Sequence, residues 1–192
     1  MNRRPPKFQS ALAAYDANDL ERALKLMEEC AAEGDPKACA LAASWHRDSE
    51  FASATPERSN EWLARLVQLA EAGDVEAQWD VSQSFRFGDL LPLDVEQANH
   101  WLERAAQGGS GDAQHHLAWF HEHGIYGYSI DRKKSEEWYE RALKQEHPET
   151  LYLYAVRMFS NGQPTKEALE LLKKAADKGF KQARDTLQRH LN

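Results

Sequence analysis

The sequence has little proline and glycine, and it contains no long run of apolar residues. Seven prolines and ten glycines in 192 residues, without a low-complexity tract, exclude a collagen-like or disordered chain. No stretch of about 18 apolar residues is present, so we expect no membrane insertion. The beginning of the chain also lacks an apolar run of signal-peptide length. These absences predict an ordered globular protein, and we expect it in the cytoplasm.

Cysteine is scarce as well. Cys30 and Cys39 are the two cysteines, and they do not form the Cys-x-x-Cys spacing that zinc and redox sites use. Both lie among alanines, which favours small buried residues at helix packing positions. A disulfide between the two is the alternative.

Basic residues are in the minority. Lys and Arg number 24 against 31 Asp and Glu, which gives a formal charge of -7. A negative chain is repelled by phosphate backbones and anionic lipid, so we expect no nucleic acid partner.

Signatures of catalysis are missing from the sequence. The dinucleotide fingerprint, the phosphate loop, His-Glu-x-x-His and Gly-x-Ser-x-Gly do not occur. Four histidines cluster without the i,i+4 spacing that places two imidazoles on one helical face; they are His115, His116, His121 and His123. We therefore predict that the chain is not an enzyme, has no cofactor and binds no metal.

A short motif returns along the chain. A glycine is followed four residues later by alanine at 34/38, 73/77, 109/113 and 179/183, and Glu146 and Thr150 take these two places in a degenerate copy. The intervals between the five anchors are 39, 36, 37 and 33 residues, which is the period of a helical repeat.

Tryptophans keep their spacing to these anchors. Trp101 and Trp138 stand eight residues ahead, whereas Trp62 stands eleven ahead of Gly73. Three extra residues are close to one helical turn, so a longer helix is predicted before Gly73.

The expected helix boundaries are marked by local chemistry. Thr55, Asp94 and Asp131 are suited to cap the starts of helices. The anchor glycines fall just past helix ends, where a left-handed backbone is favourable for glycine alone. Each repeat is thus predicted to be helix, loop, helix and tight turn. Counting an N-terminal helix, we predict about eleven helices.

The combined pattern resembles the Sel-one-like repeat family, a relative of the tetratricopeptide repeat. It is carried by Ala77-x-x-x-Val81 or Ala113-x-x-x-Leu117, then Gly88 or Gly124, Asp94 or Asp131, and Trp-hydrophobic-x-x-Ala at 101–105 or 138–142. The resemblance implies an all-α, right-handed α-solenoid of about five antiparallel helix-pair repeats. We expect a single domain over 1–192, with a divergent first half-repeat at 1–18, repeats at 19–179 and a C-terminal capping helix at 180–192. Loops of this family fold back on the repeat, so Leu91, Ile125 and Ile130 are expected to be buried.

The resemblance also implies a binding surface, because the first helix of each pair lines the concave side in this family. The groove-facing residues would be Trp79, Gln83, Arg86, Phe87, His115, Trp119, Glu122, His123, Tyr152, Val156 and Phe159. Packing of Trp79 and Trp119 against the neighbouring repeat is the alternative.

Two functions fit these expectations. The first is a non-catalytic scaffold or adaptor, a repeat protein of bacterial type, that binds a peptide or protein partner in its concave groove. The alternative is a small acidic regulatory or immunity-type protein that neutralises a basic partner. The identity of the partner and the oligomeric state are left open.

Overall fold

The computed structural model describes residues 4–160 and 165–191, and this part of the chain contains eleven helices and no strand. The all-α class and the number of helices are therefore confirmed. The helices are α1 (Pro6–Asp16), α2 (Leu20–Ala32), α3 (Pro36–Trp45), α4 (Pro56–Glu71), α5 (Val75–Phe87), α6 (Val95–Gly108), α7 (Gly111–His123), α8 (Arg132–Lys144), α9 (Pro148–Ser160), α10 (Lys166–Asp177) and α11 (Lys181–Leu191).

The helices fall into two compact units. The N-terminal unit, Met1–Gly108, contains α1 to α6, and the C-terminal unit, Gly109–Asn192, contains α7 to α11. In the N-terminal unit α1 packs on α2, α3 on α4, and α5 on α6. In the C-terminal unit α7 packs on α8, α9 on α10, and α10 on α11. Within each unit the helices thus pack in consecutive pairs, as helix-pair repeats require. That 1–192 act as one domain stays a prediction.

The anchor positions form the expected tight turns. The φ angles of Gly34, Gly73, Gly109 and Gly179 are 93°, 98°, 102° and 93°. The alanines four residues later are fully buried, which lets neighbouring helices approach. Both features confirm that the repeated glycine forms the turn and that the repeated alanine allows close helix packing.

The degenerate copy keeps this geometry without glycine. Glu146 has a φ of 54°, a left-handed conformation that costs a residue with a Cβ about 1 kcal/mol. Its carboxylate lies 2.8 Å from Lys174 Nζ and 3.4 Å from Lys178 Nζ. These hydrogen bonds and charges hold the pKa of Glu146 below its ordinary value. The side chain therefore links the turn to α10 while the backbone is strained.

Helix boundaries follow the predicted signals. The side chains of Thr55, Asp94 and Asp131 accept hydrogen bonds from backbone N–H groups three residues later, at 3.3, 3.0 and 3.0 Å. The helix that precedes Gly73, α4, has 16 residues and is the longest of the eleven. The extra turn predicted from Trp62 is confirmed.

The cysteines are buried and free, as the alanine-rich context predicted. Burial raises the pKa of the Cys39 thiol to about 11. A thiol with so high a pKa is protonated at neutral pH and unreactive.

One carboxylate ties three segments of the N-terminal unit together. Glu28 of α2 accepts hydrogen bonds from His46 Nε2 at 2.9 Å, Arg58 Nη2 at 2.7 Å and Trp62 Nε1 at 3.1 Å. Burial acts to raise the pKa of Glu28, but these hydrogen bonds outweigh it and the pKa is lowered. His46 is itself buried, and the Glu28 carboxylate provides the hydrogen-bond partner that its Nε2 atom needs there.

The loops between paired helices are less buried than expected. Leu91 and Ile125 are half-buried, but the prediction that Ile130 is buried is wrong, because 67% of it is exposed. Its Cγ1 lies 2.7 Å from where a Cβ on Gly124 would stand. The side chain therefore covers the left-handed Gly124 turn from the solvent side and does not enter the core.

Candidate functional site

A cleft of about 430 Å³ opens in the C-terminal unit. It is formed by α7, α8 and α9 together with the residue that precedes α11. The residues that line it are His115, Trp119, Glu122, His123, Tyr139, Glu149, Tyr152, Leu153, Val156, Arg157 and Phe180.

One wall of the cleft is a single face of α7. Helical periodicity places residues separated by three, four, seven or eight positions on one side. The residues on this wall are His115, Trp119, Glu122 and His123. The other side of α7 carries Leu117 and Phe120, which are almost completely buried. Burial of that apolar side fixes the rotation of α7 and turns this wall toward the cleft.

A second wall is built in the same way from α9. Its residues are Glu149, Tyr152, Leu153, Val156 and Arg157. The opposite side of α9 carries Leu151 and Ala155, which belong to the core shared with α10 and α11. The cleft therefore lies between two helices whose buried sides fix their rotation.

Aromatic rings dominate the apolar part of the lining. Trp119 is 40% exposed, and its ring lies 5.0 Å from that of His123. The rings of Tyr152 and Phe180 are 5.3 Å apart. Such rings offer large, rigid contact surfaces at a low cost in conformational entropy.

A charged network lies at the side of the cleft nearest α8. Glu122 accepts hydrogen bonds on both carboxylate oxygens, from Tyr139 Oη at 2.9 Å and from Arg157 Nη2 at 2.8 Å. The Arg157 guanidinium lies 5.1 Å from the Tyr139 ring centre and 3.6 Å from Glu136. Burial and the contact with Glu122 raise the pKa of Tyr139, so its hydroxyl stays protonated and donates.

His115 is held in the neutral form. Burial, reinforced by the neighbouring His147 and His116, lowers the pKa of His115 to about 3, although Asp112 opposes the shift. Nδ1 lies 2.9 Å from Thr150 Oγ1, and Nε2 lies 3.4 Å from a Glu149 oxygen. At neutral pH this imidazole contributes hydrogen bonds to the cleft and no charge.

Behind His115 lies a chain of polar groups. The Asp112 carboxylate is 3.2 Å from His147 Nε2, and His147 Nδ1 is 3.1 Å from Thr150 Oγ1. The hydrogen bond from His147 holds the pKa of Asp112 below its ordinary value. Carboxylate, imidazole and hydroxyl have the order of a catalytic triad, but Thr150 is fully buried and cannot reach a substrate carbonyl. These polar groups instead provide hydrogen-bond partners for a buried threonine at a position where other repeats have alanine.

The structure brings six of the seven residues predicted from the C-terminal repeats into this cleft: His115, Trp119, Glu122, His123, Tyr152 and Val156. Phe159 is half-buried and packs on the core around Leu151 and Leu172. That these residues bind a partner stays a prediction.

The four residues predicted from the earlier repeat belong to the N-terminal unit. Trp79 and Gln83 are half-buried, and Phe87 is 65% exposed. Arg86 is only 5% exposed, and its Nη2 donates to Asn99 Oδ1 at 3.3 Å. Its guanidinium is thus engaged in the packing of α5 on α6.

Five lining residues were not predicted: Tyr139, Glu149, Leu153, Arg157 and Phe180. Three of them lie on the same face of α9 as Tyr152 and Val156, since the lining residues of α9 follow Glu149 by three, four, seven and eight positions, so helical spacing contained the signal. Tyr139 and Phe180 come from other segments, and nothing in their local sequence indicates the cleft.

The described ranges, 4–160 and 165–191, contain neither a candidate metal site nor a candidate membrane span. No group of three or more His, Cys, Asp or Glu residues there is arranged to hold a metal ion. No helix in those ranges is both long and apolar enough to cross a membrane.

Comparison with known proteins assigns the repeats. The family model of the Sel1 repeat matches residues 75–110, 111–147 and 148–180, which together are more than half of the chain. A Sel1 repeat protein from Oxalobacter formigenes is 34% identical, with a TM-score of 0.56 over 66% of this chain and 97% of that one. A protective antigen of uropathogenic Escherichia coli with an SLR fold is 23% identical, with a TM-score of 0.58 over 85% of this chain and 35% of that one. This second likeness concerns the fold alone.

A curated relative is much longer. Chitin synthase regulatory factor 3 of Schizosaccharomyces pombe is 32% identical over 131 residues, which is 67% of this chain but only 14% of that protein. The resemblance predicted from the motifs is confirmed by the matched repeats and by the solved structures: the chain belongs to the Sel1 repeat family.

Proposed function

We propose that this protein is a non-catalytic interaction module that binds a segment of a partner protein in the cleft between α7 and α9. Repeats of the Sel1 family generally mediate protein–protein interaction. The single observation that carries the proposal for this chain is a cleft with a 40% exposed tryptophan beside half-buried aromatic residues. Exposed apolar surface of this kind is typical of sites that bind other molecules.

The composition of the cleft suits a peptide or protein better than a small metabolite. Trp119, Tyr152 and Arg157 are of the residue types that dominate binding energy at protein interfaces. A volume of about 430 Å³ accommodates a few side chains of an extended or helical segment. Because both walls are fixed by buried helix faces, a partner would bind a preformed site.

The polar groups around the cleft support a role without catalysis. Glu122 and Arg157 bind each other, and the hydroxyl of Thr150 is buried. No activated nucleophile is therefore exposed among the described lining residues.

The site is tested by selecting peptides from a random displayed library against the full chain. Trp119→Ala should weaken the selected peptides at least tenfold, which corresponds to about 1.4 kcal/mol. Tyr126→Ala is the matched control, because Tyr126 is also 40% exposed in the same unit but does not line the cleft. If no selected peptide distinguishes Trp119→Ala from wild type while both proteins melt at the same temperature, the proposed site is wrong.

The N-terminal unit offers a weaker case. Phe87 is well exposed, but Arg86 is engaged within its own unit. A pull-down that compares wild type with Trp79→Ala plus Trp119→Ala, and with each single variant, would show whether Trp79 also contributes. Function in the cytoplasm stays a prediction as well.

A further inference from the structure

The charges that line the cleft are unequal in number. Its described lining includes two carboxylates, Glu122 and Glu149, and one guanidinium, Arg157. Arg157 is already paired with Glu122 at 2.8 Å and with Glu136 at 3.6 Å. An acidic ligand would therefore compete with two carboxylates for the one guanidinium in the lining.

Glu149 differs from Arg157 in its ionic contacts. Its side chain is 44% exposed, and among the described residues its ion-pairing neighbour within 4.0 Å is His115 at 3.4 Å. Because the pKa of His115 is lowered to about 3, this neighbour carries no positive charge at neutral pH. The Glu149 carboxylate thus lines the cleft, and no cationic side chain of the described residues lies within 4.0 Å to neutralise it.

The aromatic lining favours the same ligand chemistry. The faces of Trp and Tyr rings attract cations, and a guanidinium also stacks on them. The protein uses this contact elsewhere, because Arg104 lies 4.7 Å above the Trp101 ring and Arg141 lies 4.3 Å above the Trp138 ring. Trp119 lies in the cleft with Glu149 and has 40% of its surface exposed.

We propose that the cleft binds an arginine side chain of the partner segment, with the guanidinium paired with Glu149 and stacked on the Trp119 ring, and with its aliphatic stem on Tyr152. The inference rests on the proposed function and specifies the chemistry of its partner. Arginine is favoured over lysine because its planar group both stacks on rings and pairs with a carboxylate through two donors.

The test uses the tightest library peptide whose binding to the full chain depends on Trp119. We expect it to contain an arginine whose replacement by citrulline, a neutral isostere, weakens binding at least tenfold. Glu149→Gln should cause a similar loss with the arginine peptide and little loss with the citrulline peptide. Glu140→Gln on the exposed surface of α8 is the matched control and should change neither affinity.

The outcomes separate the two proposals. A peptide that depends on Trp119 but is unaffected by citrulline and by Glu149→Gln would overturn the arginine site and leave the cleft as a binding site. A library that yields no Trp119-dependent peptide would overturn the proposed function itself. A lysine that replaces arginine without loss would reject the stacking geometry in favour of a simple point charge.

Discussion

Acidification should destabilise this protein through one buried imidazole. His115 has its pKa lowered to about 3 in the folded state, against 6.5 for an ordinary histidine. Between these values the unfolded chain binds a proton that the folded protein excludes. Stability is therefore lost as the pH falls below 6.5, and the loss continues until the folded-state pKa is reached.

The size of the effect follows from the shift. Each pH unit in this window costs about 1.4 kcal/mol for one such group, so a change from pH 7 to pH 5 should remove about 2 kcal/mol. The His115 side chain is only 14% exposed, so screening by solvent is small. Asp112, whose pKa is lowered by His147, acts in the same direction but at a lower pH, below its ordinary value of 3.8.

Urea unfolding followed by circular dichroism at pH 7 and pH 5 measures this difference. In His115→Asn the amide oxygen can still accept a hydrogen bond from the Thr150 hydroxyl, but the side chain does not titrate. The loss of unfolding free energy between pH 7 and pH 5 should therefore be smaller than in the wild type by about 2 kcal/mol. His100→Asn, at an exposed position on α6, controls for the removal of one histidine. Equal losses in wild type and His115→Asn, within about 0.5 kcal/mol, would refute the reasoning about burial.

Three further predictions concern the stability of the fold. Calorimetry of Glu28→Ala should show a free energy of unfolding lower by about 2 kcal/mol, because the buried His46 and the Trp62 N–H lose their acceptor. The control is Glu71→Ala at an exposed position, which should lower it by less than about 0.5 kcal/mol. Glu146→Gly should be more stable than Glu146→Ala by about 1 kcal/mol in urea unfolding, since both lose the lysine contacts and only glycine relieves the left-handed backbone; equal stabilities would refute strain there. Gly73→Ala should cost about 1 kcal/mol in the same assay, because among the described residues no atom beyond its chain neighbours lies within 4 Å of the added Cβ and the left-handed backbone alone opposes the change; an unchanged midpoint would contradict this.

The elements of the fold were largely predictable because their signals are local. Thr55, Asp94 and Asp131 cap helices through hydrogen bonds to residues three positions away. Because both partners lie within four residues, a short stretch of sequence is enough to predict these caps. The extra turn before Gly73 followed from the position of Trp62 alone. A period near 36 residues then required that similar helices recur.

The errors and omissions have a different origin. Ile130 was expected in the core, but the path of its loop places it over Gly124, and loop paths depend on tertiary contacts. Tyr139 and Phe180 reach the cleft because α8 and the turn before α11 pack beside α9. Arg86 occupies a position assigned to the groove and yet is buried against α6. Helical spacing defines a face but does not determine what covers it.

The most direct test of the proposed function is the contact map of a complex. Intermolecular nuclear Overhauser effects between the labelled full chain and an unlabelled, library-selected peptide would locate the bound segment. We predict contacts from the Trp119 indole and the Tyr152 ring to the peptide, including the methylene groups of its arginine. Contacts confined to other surfaces, with none to Trp119 or Tyr152, would contradict the assignment of the cleft as the binding site.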